Sequence, residues 1–162
     1  MAEYHDTFDL LAELAIAVAG FAGVASAFGG RDRSFGPAEL IRLTALFQYA
    51  TLVLAGCFGL ASLSAAGVGD STGLALVSFA EAIALLALAA FALPEAFRLA
   101  RSEESTMGGW RLAFVAATYV IVIPLCLANA LVVQREWPLI LAFSILILQS
   151  LWFFFSLLTL RN

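Results

Sequence analysis

The chain has 162 residues, 63% of them hydrophobic, and carries only 12 acidic and 8 basic residues. Soluble domains contain about 45–50% apolar and about 25% charged residues, so a charged fraction of 12% excludes an ordinary soluble domain. The net charge of −4 and the absence of lysine offer no basic face to a nucleic acid. This composition predicts an integral membrane protein.

Five apolar segments are long enough to cross a bilayer. A helix rises about 1.5 Å per residue, so a hydrocarbon layer about 30 Å thick needs about 20 residues. The segments cover residues 8–28, 38–64, 74–97, 110–133 and 139–160. Pro37 and Pro138 suit first helical turns, where the missing N–H has no partner in any case. The sequence predicts an all-α bundle of five transmembrane helices in a single membrane domain, 1–162.

The arginines predict the orientation of these segments. One side of the membrane collects Arg31, Arg33, Arg42, Arg98, Arg101, Arg111 and Arg161. The other side has Arg135. Positive residues near short loops are retained in the cytoplasm. We therefore expect the N-terminus outside and the C-terminus in the cytoplasm.

The first segment has a competing interpretation as a signal peptide, because Ala25, Ser26 and Ala27 resemble a small-residue cleavage site. The residues before the apolar run argue against it. They include Glu3 and Asp6 and no positive residue, and the arginines follow the run. We expect a retained first transmembrane helix.

Acidic residues recur along one face of this first helix. Glu3, Asp6, Asp9 and Glu13 are spaced by three, three and four residues, and the same periodicity continues through Ala17, Gly20, Val24, Ala27 and Arg31. The pattern indicates an acidic outer mouth, a narrow middle and a basic cytoplasmic exit. If several copies surrounded an axis, their carboxylates would form cation-attracting rings.

A second row of small residues supports a different interpretation of the same helix. Ala15, Ala19, Gly23 and Ala27 recur every four residues, a spacing that lets membrane helices pack closely. The N-terminal acids would then be a solvated tail. Both interpretations make the first helix central to the subunit or to an oligomer.

Glu81 lies about seven residues inside the third segment, where a charge costs at least about 2.5–3.5 kcal/mol. It could exchange protons, or coordinate a cation with neutral oxygens from Gln48, Asn129 or Gln149. Alternatively, it is a neutral glutamic acid hydrogen-bonded across helices.

Other polar residues have local explanations. Glu39 with Arg42 and Glu95 with Arg98 are three residues apart and predict interfacial ion pairs, although an Arg42–Glu95 contact is an alternative. Pro124 is expected to interrupt the fourth helix.

The sequence gives no support for an enzymatic function. Cys57 and Cys126 are expected to be buried thiols, and His5 is the only histidine. These residues do not form a metal-ligand set. The sequence contains no phosphate loop, nucleophile elbow or dinucleotide fingerprint. We expect no catalytic residue, no cofactor and no metal.

Short motifs along most of the chain resemble a broad family of uncharacterised small multi-pass membrane proteins of bacteria. They are Glu13-Leu14-Ala15-Ile16, Gly20-Phe21-Ala22-Gly23-Val24, Gly30-Arg31, Leu40-Ile41-Arg42-Leu43, Trp110-Arg111-Leu112, Asn129-Ala130 and Trp137-Pro138. This resemblance implies the inner membrane of a bacterium and no particular activity. The order of acids and arginine in the first helix is similar to the pore helix of calcium-release-activated calcium channels, whose subunits have four spans.

Two functions remain as alternatives. The first is a homo-oligomeric channel or pore for cations or protons, with the first helix lining the path and Glu81 supporting it. The second is a non-catalytic accessory or scaffold subunit that contacts partner membrane subunits. The absence of an internal inverted repeat disfavours a transporter. Besides the lipid bilayer, the expected partners are other copies of the chain or other membrane subunits, and no nucleic acid.

Overall fold

The computed structural model describes residues 2–29, 36–100 and 109–159. These ranges are helical and contain no strand. The α-helices are α1 (Ala2–Gly29), α2 (Pro37–Ala65), α3 (Asp70–Ala100), α4 (Gly109–Ala128) and α5 (Glu136–Thr159), and a π-helix (Asn129–Val133) continues α4. All five helices are long and apolar enough to cross a membrane. The predicted all-α architecture with five candidate spans is confirmed.

Local interactions explain where α2 begins and ends. Glu39 Oε2 accepts a hydrogen bond from Gly36 N at 2.8 Å, which satisfies a free N–H at the helix start. Pro37 is the first helical residue, as predicted. At the other end, Gly67 has φ +78° and donates to Ser64 O, while Val68 N donates to Leu63 O, each at 3.0 Å. This is a Schellman turn, in which glycine takes the left-handed position.

Prolines inside the helices do not end them. Pro94 lies within α3 and Pro124 within α4. Pro124 does not end α4, which continues as far as Ala128, and the freed carbonyl and kink expected at this proline stay a prediction. Beyond Ala128 the helix continues in π-helical form, Asn129–Val133.

The chain divides into two compact units. Unit 1 comprises residues 1–58 and 143–162, so it holds α1, most of α2 and the later part of α5. Its core includes an edge-on contact between the rings of Phe8 and Phe143 at 6.2 Å and a stacked contact between Tyr49 and Phe153 at 6.1 Å. Ser150 Oγ also donates to Leu46 O at 3.4 Å.

Unit 2 comprises residues 59–142 and is built mainly from α3, α4 and the π-helix, which pack together. The end of α2 approaches α3 closely, since a Cβ added to Gly59 would lie 3.4 Å from Val77 Cγ2. This small residue allows the two backbones to approach, as is common in membrane helix pairs.

Candidate functional site

The acidic residues of α1 lie on the side that faces out of unit 1. Asp6, Asp9, Glu13 and Gly20 are all exposed, and we call these four residues the α1 acidic face. At about 100° per residue, they fall within one narrow sector of the helix. The buried residues of α1 occupy the opposite sector and are Phe8, Leu11, Ala15, Val18 and Ala22. The helix therefore packs through one side and presents its carboxylates on the other.

The surroundings of the α1 acidic face are apolar and open. Leu10, Leu14 and Phe21 flank it and are exposed. Apart from the adjoining backbone of α1 itself, no described atom lies within 4 Å of a Cβ built on Gly20. A stripe of carboxylates thus runs along a surface that is otherwise suited to lipid. Arg31, the predicted basic end of this stripe, lies outside the described residues.

A second candidate site lies inside unit 2, where four buried polar side chains come together. On α3, Ser78 and Glu81 are one turn apart and therefore neighbours on one face. On α4 and the π-helix, Cys126 and Asn129 have the same spacing. Asn129 Nδ2 donates to Ser78 Oγ at 2.8 Å, and the Cys126 thiol lies within electrostatic reach of the Glu81 carboxyl. We call these four residues the Glu81 cluster.

Asn129 forms hydrogen bonds with the surrounding backbone in addition to the one with Ser78. It is the first residue of the π-helix, and its carbonyl oxygen accepts a hydrogen bond from Gln134 N at 2.9 Å. Its side-chain Oδ1 accepts from Arg135 N at 3.0 Å. Gln134 takes the left-handed conformation with φ 49°. One side chain thus fixes both the end of the π-helix and the hydroxyl of Ser78.

Glu81 is the residue in this cluster that is least satisfied. The residue is 4% exposed, and its Oε2 atom has no hydrogen-bond partner among the described residues. The sequence contains no basic residue in 70–97 or in 113–133. A buried carboxyl without a partner is costly. The Glu81 cluster therefore combines a polar framework that is already hydrogen-bonded with one carboxyl oxygen that is not.

The three amides predicted to assist Glu81 are divided between the two units. Asn129 belongs with Glu81 to unit 2, whereas Gln48 and Gln149 belong to unit 1. Gln149 is buried and Gln48 is half-buried. Sequence reasoning missed Ser78, although its position three residues before Glu81 was an available signal.

The remaining polar predictions have different outcomes. The ion pair between Glu95 Oε1 and Arg98 Nη2 is confirmed at 2.6 Å. Arg42 is buried, at 1% exposed, although the sequence places it at the membrane interface and gives no sign of this burial. Glu39 directs one carboxylate oxygen to Gly36 N. Cys57 and Cys126 are buried thiols, as expected.

No protein-family model, curated protein or solved structure matches this chain.

Proposed function

We propose that the protein forms a homo-oligomeric membrane path for cations or protons, with the α1 acidic face of each copy turned toward the path. The observation that supports this most directly is that the carboxylates of Asp6, Asp9 and Glu13 lie opposite the packed side of α1. These carboxylates do not pack inside unit 1, so their charge is presented to whatever surrounds the unit.

The position of Glu13 gives this arrangement its energetic reason. Asp6–Val24 is a candidate span, so Glu13 lies about 10 Å along the helix from the start of that span. A carboxylate exposed to hydrocarbon is unfavourable, and the cost of inserting it reaches at least about 2.5 kcal/mol at the bilayer centre. Several copies around a water-filled axis would hydrate the carboxylate, and a ring of carboxylates would attract cations.

The same face also supports the second function, a scaffold subunit. Ala17 and Gly20 are exposed and small, which allows another helix to approach closely. In that case the acidic face would contact a different membrane subunit, and no ion would pass.

We further propose that the N-terminus faces outward and the C-terminus faces the cytoplasm of a bacterial cell. The support is the arginine distribution, since the segments around Arg31, Arg98 and Arg161 fall on one side of the predicted spans.

Flux measurements on liposomes containing the purified protein test the path. We expect cation or proton flux above that of protein-free liposomes. Glu13→Gln removes a charge that attracts a cation by on the order of 1 kcal/mol in wet surroundings, so flux should fall about fivefold. Glu95→Gln is the matched control, because it removes a partly exposed carboxylate from α3.

Oligomeric size, measured on the same samples, separates the outcomes. Flux that falls in Glu13→Gln at unchanged oligomeric size supports the path. A folded wild-type protein that produces no flux refutes it and favours the scaffold function.

A further inference from the structure

Glu81 needs a proton or a positive charge close to its carboxyl. An ionised carboxylate buried without a partner is strongly destabilising, so it is either protonated or neutralised by a cation. Glu81 is in this situation, because the residue is 4% exposed and its Oε2 has no hydrogen-bond partner among the described residues.

The elements packed around Glu81 in unit 2 leave few candidates for that charge. Residues 113–133, which include most of α4 and the π-helix, contribute Tyr119 and Cys126 as their titratable groups. The end of α2 within unit 2 has none, and the start of α5 has Glu136. Neither a phenol nor a thiol nor a second carboxyl brings a positive charge. The basic residues of unit 2 whose side chains the structure describes are Arg98, which is exposed and paired with Glu95, and Arg135, which is exposed. A proton or cation from solution is therefore the source of neutralising charge that we consider for this cluster.

Ser78 is arranged to assist such an ion. Its Oγ accepts a hydrogen bond from Asn129 Nδ2, and Asn129 is itself held by Arg135 N. Because the amide donates to it, the hydroxyl keeps its own proton and one further lone pair for a neighbour. Carboxylate and hydroxyl oxygens are hard donors that suit a proton or an alkali cation, whereas the Cys126 sulfur does not.

The irregular backbone at Asn129 is the second independent sign of a functional site. π-helical turns are rare and are found frequently at functional sites. Here the turn begins at the residue that orients Ser78.

We propose that Glu81 binds one exchangeable monovalent cation, a proton or Na⁺, with Ser78 as the neighbouring oxygen and Asn129 as the residue that positions it. The site lies within unit 2 and is independent of the path proposed for α1. It requires neither flux nor an oligomer.

Infrared difference spectroscopy of the full chain in lipid bilayers tests this site. Subtracting spectra of Glu81→Gln from those of the wild type isolates the carboxylic acid band of Glu81. Glu95→Gln is the control, since Glu95 is partly exposed and paired with Arg98. If Glu81→Gln does not fold, Glu81→Asp keeps the acid and shifts the band, so the band can still be assigned.

Two series of spectra distinguish the two ions. If the site binds a proton, the band disappears as the pH is raised and does not respond to exchange of choline chloride for NaCl. If it binds Na⁺, adding NaCl at constant pH removes the band. Ser78→Ala then raises the Na⁺ concentration that removes the band by about tenfold, because a lost ligand worth about 1.4 kcal/mol weakens binding by that factor. A Glu81 band that responds to neither pH nor Na⁺, while the protein stays folded, overturns the proposal.

Discussion

Glu13 and Glu81 are both glutamates within candidate membrane spans, and they occupy opposite environments. Glu13 is exposed on the unpacked side of α1, among apolar side chains and further carboxylates. Glu81 is buried against α4, beside a framework of hydrogen-bonded polar side chains. The first arrangement needs something outside the subunit to stabilise its charge, whereas the second needs only a small ion. The same residue type therefore points to assembly in one unit and to ion binding in the other.

The largest expected effect comes from removing the framework of the Glu81 cluster. Asn129→Leu leaves both Ser78 Oγ and Arg135 N without their partner. Each lost partner costs about 1 kcal/mol or more, so we expect the free energy of unfolding to fall by about 2–3 kcal/mol. Equilibrium unfolding in mixed micelles measures this free energy.

Val132→Ala is the control for this substitution, because Val132 lies in the same π-helix and is 80% exposed. It should change stability by less than about 0.5 kcal/mol. Equal losses in the two variants would contradict the structural role assigned to Asn129.

A smaller effect separates the two sides of α1. Ala15 is completely buried, so Ala15→Leu overpacks unit 1 and should lower the free energy of unfolding by about 1–2 kcal/mol. Ala17 is exposed, so Ala17→Leu should leave the subunit's stability unchanged while altering its oligomeric size. Unfolding and native mass measurements on both variants check this. A stable Ala15→Leu together with an unstable Ala17→Leu would reverse the assignment of the two sides.

The smallest effect concerns two helical glycines. No described atom lies within 4 Å of a Cβ built on Gly20 or Gly23. Replacing either with alanine should stabilise the isolated helix by up to about 1 kcal/mol. If copies meet at the α1 acidic face, Gly20→Ala should weaken their association, while Gly23→Ala should not. Association measured by dilution in detergent distinguishes the two, and identical behaviour would place Gly20 away from any contact.

The helical architecture could be predicted from the sequence because it depends on local properties. The length of each apolar segment predicts a span, Pro37 predicts the start of α2, and the spacing of Glu95 and Arg98 predicts their ion pair. The acid periodicity of α1 likewise predicts a single face, since helical geometry alone places Asp6 and Glu13 together.

The Glu81 cluster could be predicted only in part, because it depends on packing between helices. Periodicity places Ser78 and Glu81 on one face of α3 but does not show which helix meets that face. The π-helix is equally hidden, since it is stabilised by Asn129 contacts to Ser78 and Arg135. The burial of Arg42 also depends on the surrounding unit rather than on its neighbours in sequence.

The Schellman turn after α2 has a consequence for how this chain is made. Its hydrogen bonds run from Gly67 to Ser64 and from Val68 to Leu63, so residues only three and five apart satisfy the backbone there. The next helix begins at once, with Gly73 N donating to Gly69 O at 2.9 Å. A nascent chain can therefore complete the tip between its second and third helices as soon as Gly73 has been added, before any residue of α4 or α5 exists. The tip joins the candidate spans Glu39–Ala65 and Asp70–Glu95, so these local hydrogen bonds satisfy backbone groups at the point where two neighbouring spans meet.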